Sequence, residues 1–352
     1  MEVQSQTFGC SIGTLPFTYL GLPMGTTKPK IEDLTPMMDR VERCLSGCST
    51  TYTMCTIKLL RGVIENIDLI RKQYLWRGNT DMKRGGNLMA WETVQKPKRQ
   101  GGLGIVNLRL QNDAFLLKHL HKFYNQANIP WVKLVRFKYY QDKVPHATRE
   151  IGSFWWKDVM RLNNIYRSVS HCIVGNGSTV CFWEDRWIEY ILAVSHPRIA
   201  SFARSNTIYV KEIMQATGLD NIFMLPLSQE ALDELNHLQE VIHSVPYDES
   251  GKDIWLPTWG PDYTSNKFYP HIYDMLEAHP VYKMNWKSSC TPTIKFFIWL
   301  VLVDRLNTKT VLTRRHIAVH QDDICVMCDI EPQKQLNIFT SSVPLQDNVG
   351  RH

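Results

Sequence analysis

Residues 286–328, WKSSCTPTIKFFIWLVLVDRLNTKTVLTRRHIAVHQDDICVMC, decide how the rest of the chain is read. The run 296–303 is densely apolar but is broken by Asp304 and Arg305. A membrane-spanning helix needs about 20 apolar residues, so this run is expected to be a buried helix and not a span. From Leu300 to Arg315 the apolar positions Leu300, Val303, Leu306, Val311 and Leu312 recur near helical spacing, with Arg305, Lys309, Arg314 and Arg315 between them. That periodicity predicts one packed face and one basic face. Cys325-Val-Met-Cys328 closes the stretch. Two thiolates at this spacing can reach one tetrahedral Zn²⁺ from a tight turn, but a closed structural site takes four ligands. His316, His320 and His352 are candidates for the remainder, at spacings that favour none of them. The alternative is a pair of reduced thiols in a loop. The expected metal centre is therefore an incomplete zinc site at Cys325 and Cys328.

The chain has 352 residues, 44% of them hydrophobic and 11% aromatic, enough to build two or three domains with cores of their own. The net charge of +6 is unevenly spread. Residues 71–100 carry eight cations, Arg71, Lys72, Arg77, Lys83, Arg84, Lys96, Lys98 and Arg99, against Asp81 and Glu92. Residues 211–253 carry nine carboxylates against Lys211 and Lys252. One surface suits phosphates and the other repels them. Nine cysteines without a pairing pattern, and an opening MEVQSQTFGC that is no leader peptide, predict a chain that is not secreted and sits in a reducing compartment.

Taken in order, 9–25 (GCSIGTLPFTYLGLPMG) is punctuated by Gly and Pro and predicts a pair of short strands. Thr35-Pro36 has the form of a helix start, with Met38, Val41 and Leu45 on one face. A second helix is expected over 58–76, where Leu59, Val63, Ile67, Ile70 and Tyr74 turn inward. Lys96-Pro97-Lys98 and Gly101-Gly102 form a basic loop whose backbone amides could cradle phosphate, although GGLG by itself is a weak signal that more often marks a purely structural turn. Asn112 or Asp113 is expected to cap the next helix, with Ala114, Leu117 and Leu120 inward. A helix over 130–140 brings Lys133, Arg136 and Lys138, a charge pattern that usually marks only a solvated face. Asn176-Gly177, between apolar alternations, predicts a β-hairpin over 173–183. Trp183 and Trp187 suit either a core or base stacking. Ser228 caps an acidic amphipathic helix with Leu232, Leu235, Leu238 and Ile242 inward.

Several blocks together resemble one family. LPFTYLGLPMG, then Trp76-Arg77-Gly78, Trp91, Pro97-Lys98, GGLG and Asn112, then VGNG with FWEDRW, and finally Trp286, Pro292, 295–299 (KFFIW), Arg305-Leu306, Leu312, Arg315 and Cys325-x-x-Cys328 are similar to the region behind the polymerase palm of plant LINE-type (non-LTR) retrotransposon reverse transcriptases. The resemblance spans about residues 9–330 and implies a helical thumb, a connector and a C-terminal zinc-binding domain. It also implies a nuclear location. In that family a His-Leu-Phe and a final Cys complete the metal site after the C-x-x-C, and PQKQLNIFTSSVPLQDNVGRH, the sequence after Glu331, supplies neither. The family's paired catalytic aspartates lie upstream of LPFTYLG, whereas Asp322-Asp323 follows no strand or aromatic residue.

These readings predict a mainly α fold with short β hairpins. The expected segments are a thumb-like helical part over 1–80, a basic GGLG connector over 81–165, a hairpin and acidic helical connector over 166–250, a truncated zinc-binding-like domain over 251–330, and a divergent tail over 331–352. The expected function is non-catalytic binding of RNA or DNA through Arg71, Lys72, Arg77, Lys83, Arg84, Lys96, Lys98, Arg99, Arg305, Arg314 and Arg315, with no membrane and no small-molecule substrate as partner. The alternatives are a decayed transposon product that binds nothing and a protein-interaction scaffold using 211–253. Signature sequences of P-loop enzymes, G-x-S-x-G hydrolases and H-E-x-x-H metalloproteases are absent.

Overall fold

The computed structural model describes residues 17–19, 22–24, 27–35, 54–77, 89–140, 151–216, 222–274, 276–277 and 279–306. It divides into two compact units, one of Met1–Arg84 with Val106–Met275 and one of Gly85–Ile105 with Leu276–His352. The fold is mainly α with short antiparallel strand pairs, as the periodicities predict.

The first unit begins with β1 (Phe17–Tyr19) and β2 (Leu22–Met24), paired with Phe17 opposite Met24 and Tyr19 opposite Leu22. The predicted cap at Thr35 is corrected. An N-cap needs extended backbone, whereas Thr35 is helical at φ −53°, ψ −45° and follows a 3₁₀ turn over Glu32–Leu34. Met38, Val41 and Leu45 lie outside the described residues. Helix α1 (Arg61–Arg77) matches the second predicted helix and buries Val63, Ile64 and Ile67 against Leu34, Met54 and Leu59. Tyr74, expected inward, is 57% exposed, because this small core covers only the first turns of α1.

Helix α2 (Leu108–Tyr124) is capped by Asn107, whose side chain accepts from the amides of Arg109 (3.0 Å) and Leu110 (3.2 Å). The expected cap at Asn112 or Asp113 is therefore corrected, since both lie within the helix and serve tertiary contacts. Buried Asn112 accepts the Leu59 amide (2.9 Å) and donates to the carbonyls of Met54 (2.7 Å) and Ile57 (2.9 Å), so it ties down the segment leading into α1. Asp113 pairs with Lys58. Ala114, Leu117 and Leu120 are buried as predicted.

Helix α3 (Pro130–Val135) continues into a single π turn, Arg136–Tyr140. Then come α4 (Phe154–Met160), capped by Ser153, α5 (Asn163–Ser168) and strand β3 (Ser170–Ile173). The hairpin predicted over 173–183 does not form. β3 pairs instead with β4 (Ile254–Pro257), with Ser170 opposite Pro257 and Ile173 opposite Ile254. The tight turn itself does form, with Gly177 at φ +65° and the Asn176 side chain accepting the Ser178 amide (3.0 Å). The residues after the turn go elsewhere: the Val180 carbonyl accepts from Val210, and Phe182 donates to Ile208. Helix α6 (Gln229–Ser244) is capped by Ser228 as predicted, with Leu235 and Leu238 buried, while Leu232 faces out. Helix α7 (Ser265–Tyr273) belongs to the same unit as α2, and the preceding Tyr263 hydroxyl donates to the Ala114 carbonyl (2.8 Å). An aromatic core of Phe123, Tyr124, Trp156, Tyr166, Phe182, Trp183 and Trp255 holds these elements together. Rings within it stack or meet edge-on, as at Tyr124 and Tyr166 (5.3 Å, 12°).

The second unit joins the short helix Trp91–Gln95 and a 3₁₀ turn, Lys98–Gln100, to α8 (Pro280–Lys287) and α9 (Pro292–Leu302). The apolar run does form a helix, with Trp299 and Leu300 buried, and this helix ends at Leu302; of the pattern running to Arg315, residues 307–315 lie outside the described residues. Asp304 takes a left-handed φ of 51°, its amide bonds to Val301 (3.0 Å), and the Arg305 amide reaches back to Leu300 (2.9 Å). That is a helix-terminating double bond of the Schellman type. Among the described residues no helix is long and apolar enough to cross a membrane.

Candidate nucleic-acid interface

The basic loop of the second unit is held by its own backbone. Leu103 donates to the Val94 carbonyl (3.0 Å), Gly102 to Pro97 (3.2 Å) and Gly104 to Lys96 (2.9 Å). These three amides are consumed inside the turn, so the phosphate cradle of backbone amides suggested by GGLG is not there. The glycines are explained by space. A Cβ on Gly102 would lie 1.9 Å from the Lys96 carbonyl oxygen, and Gly101, at φ +82°, faces the Tyr282 ring, 2.9 Å from where its Cβ would stand.

The loop is seated on α8 and α9. The Trp299 indole donates to the Gly101 carbonyl (2.8 Å), and Lys98 Nζ stands over the Trp286 ring, 4.8 Å from its centroid. Tyr282 and Trp286, one turn apart on α8, meet the loop, which leaves Lys283 and Lys287, offset by one residue, exposed beside it. Buried Asn285 donates to the Lys295 carbonyl (3.0 Å), and Lys295 Nζ donates to the Trp286 carbonyl (3.2 Å), locking α8 to α9. Exposed Lys98, Arg99, Lys283, Lys287 and Arg305 thus belong to one unit whose described carboxylates are Glu92, Glu277 and Asp304. Lys96 is half-buried beside them. Lys283 and Lys287 were missed in the sequence because they stand some 180 positions from the loop they join; no local pattern connects the two.

Of the other predicted cations, two have described side chains and neither belongs to this unit. Arg71 belongs to the first unit, where it pairs with Asp68 (2.7 Å) and donates to the Val106 carbonyl (2.8 Å), a structural commitment. Lys72 is half-buried on the same helix. The Arg77 side chain, Lys83, Arg84, Arg314 and Arg315 lie outside the described residues.

The VGNG and FWEDRW block is architectural. Arg167 is buried, pairs with Asp185, and donates to the Tyr124 hydroxyl (3.1 Å) and the Thr179 carbonyl (3.2 Å). Its guanidinium lies 5.0 Å from the ring centroids of both Tyr124 and Trp255. Burial pushes the Asp185 carboxyl above its ordinary range, and Arg167 pulls it back. Asp253 accepts the amides of Gly175 (2.9 Å), Gly177 (2.8 Å) and Thr179 (2.9 Å) and the Thr179 hydroxyl (2.7 Å), which fixes the turn. Trp183 and Trp187 are buried, so of their two readings the core is the one realised.

The last helices of this architecture carry the comparison with known proteins. Residues 263–344 match the family of zinc-binding domains in reverse transcriptase. The chain is also 23% identical over 309 residues to a protein of Arabidopsis thaliana named "Putative ribonuclease H protein", covering 82% of this chain and 47% of that relative. The chain therefore spans about half the length of the curated relative it matches. Both similarities fit a retrotransposon-derived chain. Zinc is the metal the matched family implies. Cys325 and Cys328 lie outside the described residues, and among the described residues no group of three or more His, Cys, Asp or Glu is placed to hold a metal ion. The described residues supply no zinc ligand set.

Proposed function

We propose that this chain is a non-catalytic, nucleic-acid-binding segment derived from a LINE-type reverse transcriptase. In this reading it grips an RNA–DNA hybrid through the basic face of the second unit. The observation that carries the reading is the seating of the Lys98–Gln100 turn against α8, which joins Lys98 and Arg99, from outside the matched stretch, to Lys283 and Lys287, which lie in residues 263–344 matched to the reverse-transcriptase zinc-binding family. Four exposed cations on a scaffold fixed by hydrogen bonds are a phosphate-contacting surface without base-reading groups, which suits binding by charge and backbone shape. The ribonuclease activity named for the Arabidopsis relative belongs to a protein about twice as long and is not carried over to this chain.

The test is binding of a labelled RNA–DNA hybrid at several salt concentrations, for the wild type and for Lys96, Lys98 and Arg99 changed to Ala. Each phosphate contact contributes about 0.9 to the slope of log affinity against log salt, so the triple variant should bind more weakly with a slope shallower by roughly 2 to 3. Binding that is absent, or indifferent to the three substitutions, would leave a transposon relic without this grip.

A further inference from the structure

The face formed by α3 and its π turn is not used by that reading. Val132, Val135 and Tyr140 point into the core, and the opposite side presents Lys133, Leu134, Phe137 and Lys138. Phe137 is 83% exposed, the most exposed large apolar side chain among the described residues, and Leu134 is 63% exposed. Large apolar groups held in water at adjacent positions of an ordered helix mark a contact surface more often than chance.

The surroundings say what chemistry would meet them. Arg136 lies over the Phe123 ring (5.5 Å) and His119 meets Trp131 (5.7 Å), so the C-terminal half of α2, which carries Lys118 and Lys122, packs against α3. Residues 114–140 hold five Lys or Arg and no Asp or Glu. Among the described residues, no ion pair engages Lys118, Lys122, Lys133 or Lys138. Lys138 Nζ lies 5.6 Å from the Tyr139 ring centroid, which holds it near Phe137 without neutralising it, and an exposed aromatic ring among lysines that lack a carboxylate partner is the pairing that takes unpaired bases by stacking and phosphates by charge. An anionic bilayer would want a broad apolar face for insertion, and among the described residues of this face only Phe137 and Leu134 are large, apolar and exposed.

We infer that this face of the first unit binds single-stranded nucleic acid, with a base stacked on Phe137 and the flanking phosphates on Lys133 and Lys138. It rests on the nucleic-acid reading above but on none of the residues assigned there.

The experiment is fluorescence anisotropy with a labelled oligothymidylate of about 16 nucleotides at several salt concentrations, run beside the RNA–DNA hybrid. Phe137→Ala should weaken oligothymidylate binding at least about fivefold with little change in salt slope, and Phe137→Tyr should restore it. Lys133→Gln with Lys138→Gln should make the slope shallower by about 1.4, at roughly 0.7 per contact on a single strand. Unchanged affinity in Phe137→Ala overturns the inference, as does binding to phosphatidylserine vesicles that depends on Phe137 while oligothymidylate binding does not. The Lys96, Lys98, Arg99 variant separates the two sites. Hybrid binding that ignores it, with oligothymidylate still sensitive to Phe137, sinks the first reading and sustains this one; the opposite pattern does the reverse.

Discussion

The Trp299 indole donates to the carbonyl of Gly101, 198 positions earlier in the chain, at 2.8 Å. Both groups are buried, so the bond closes a loop that water cannot stabilise in its place. Trp299→Phe keeps most of the apolar volume and strands the carbonyl, and should cost about 1–3 kcal/mol. Trp299→Ala also opens a cavity and should cost about 3–5 kcal/mol. Urea unfolding followed by tryptophan fluorescence measures both, and equal losses in the two variants would refute the hydrogen-bond account.

Gly102 tests whether the loop's shape matters to binding as well as to stability. A methyl at this position runs into the Lys96 carbonyl oxygen, which is backbone and cannot rotate away. Gly102→Ala should therefore lower both the unfolding midpoint and hybrid affinity, although Lys98 and Arg99 are untouched. Gly104→Ala meets nothing nearer than 3.5 Å and should carry only the strain of φ +71°, roughly 1 kcal/mol. The two variants compared by anisotropy and by thermal melting decide the point.

The Arg167–Asp185 pair is surrounded by the aromatic core of the first unit. Arg167→Met leaves a buried carboxylate uncompensated and should cost about 3–5 kcal/mol. Adding Asp185→Leu to it should cost much less than the two single losses together, because the pair acts as a unit. Strict additivity in the double-mutant cycle would show that the two groups do not depend on one another.

His119 makes stability depend on pH. Its Nε2 lies 3.1 Å from the Cys55 carbonyl and so carries the proton, while Nδ1 is buried without a partner among the described residues. Burial above all, with Lys122 and Lys118 adding to it against the bond to Cys55, holds its pKa below the ordinary 6.5. With the folded value below the unfolded one, the unfolded chain takes up the proton first. The contribution is thus complete above about pH 6.5 and is lost as pH falls toward the folded value. Urea midpoints between about pH 7.5 and 5 should fall less steeply in His119→Gln than in the wild type. Parallel slopes would remove His119 from the account.

Local chemistry was legible in the sequence and long-range pairing was not. Ser228 reads as a cap because its hydroxyl serves an amide three residues on, and α1 reads as a helix because Val63 and Ile67 recur on its inner side. Asn176-Gly177 reads as a tight turn for the same kind of reason, and it is one. The partner strand lay some eighty residues away, at β4, where no periodicity points. Asn112 has the composition of a cap, yet a buried amide that binds Met54, Ile57 and Leu59 is equally polar and shows no local signature. The basic residues of the second unit followed the same rule, since Lys98 was visible in its loop and Lys283 only through the fold.

The spacing of Gly101 and Trp299 also has a meaning in time. A ribosome adding 5–20 residues per second needs roughly ten to forty seconds to travel between them. For that interval the loop 89–104 is outside the ribosome with Trp91 and Val94 made and without the helices that cover Gly101. A nascent chain in this state offers apolar surface to chaperones, and an engineered fragment starting at residue 263 would never receive the loop at all.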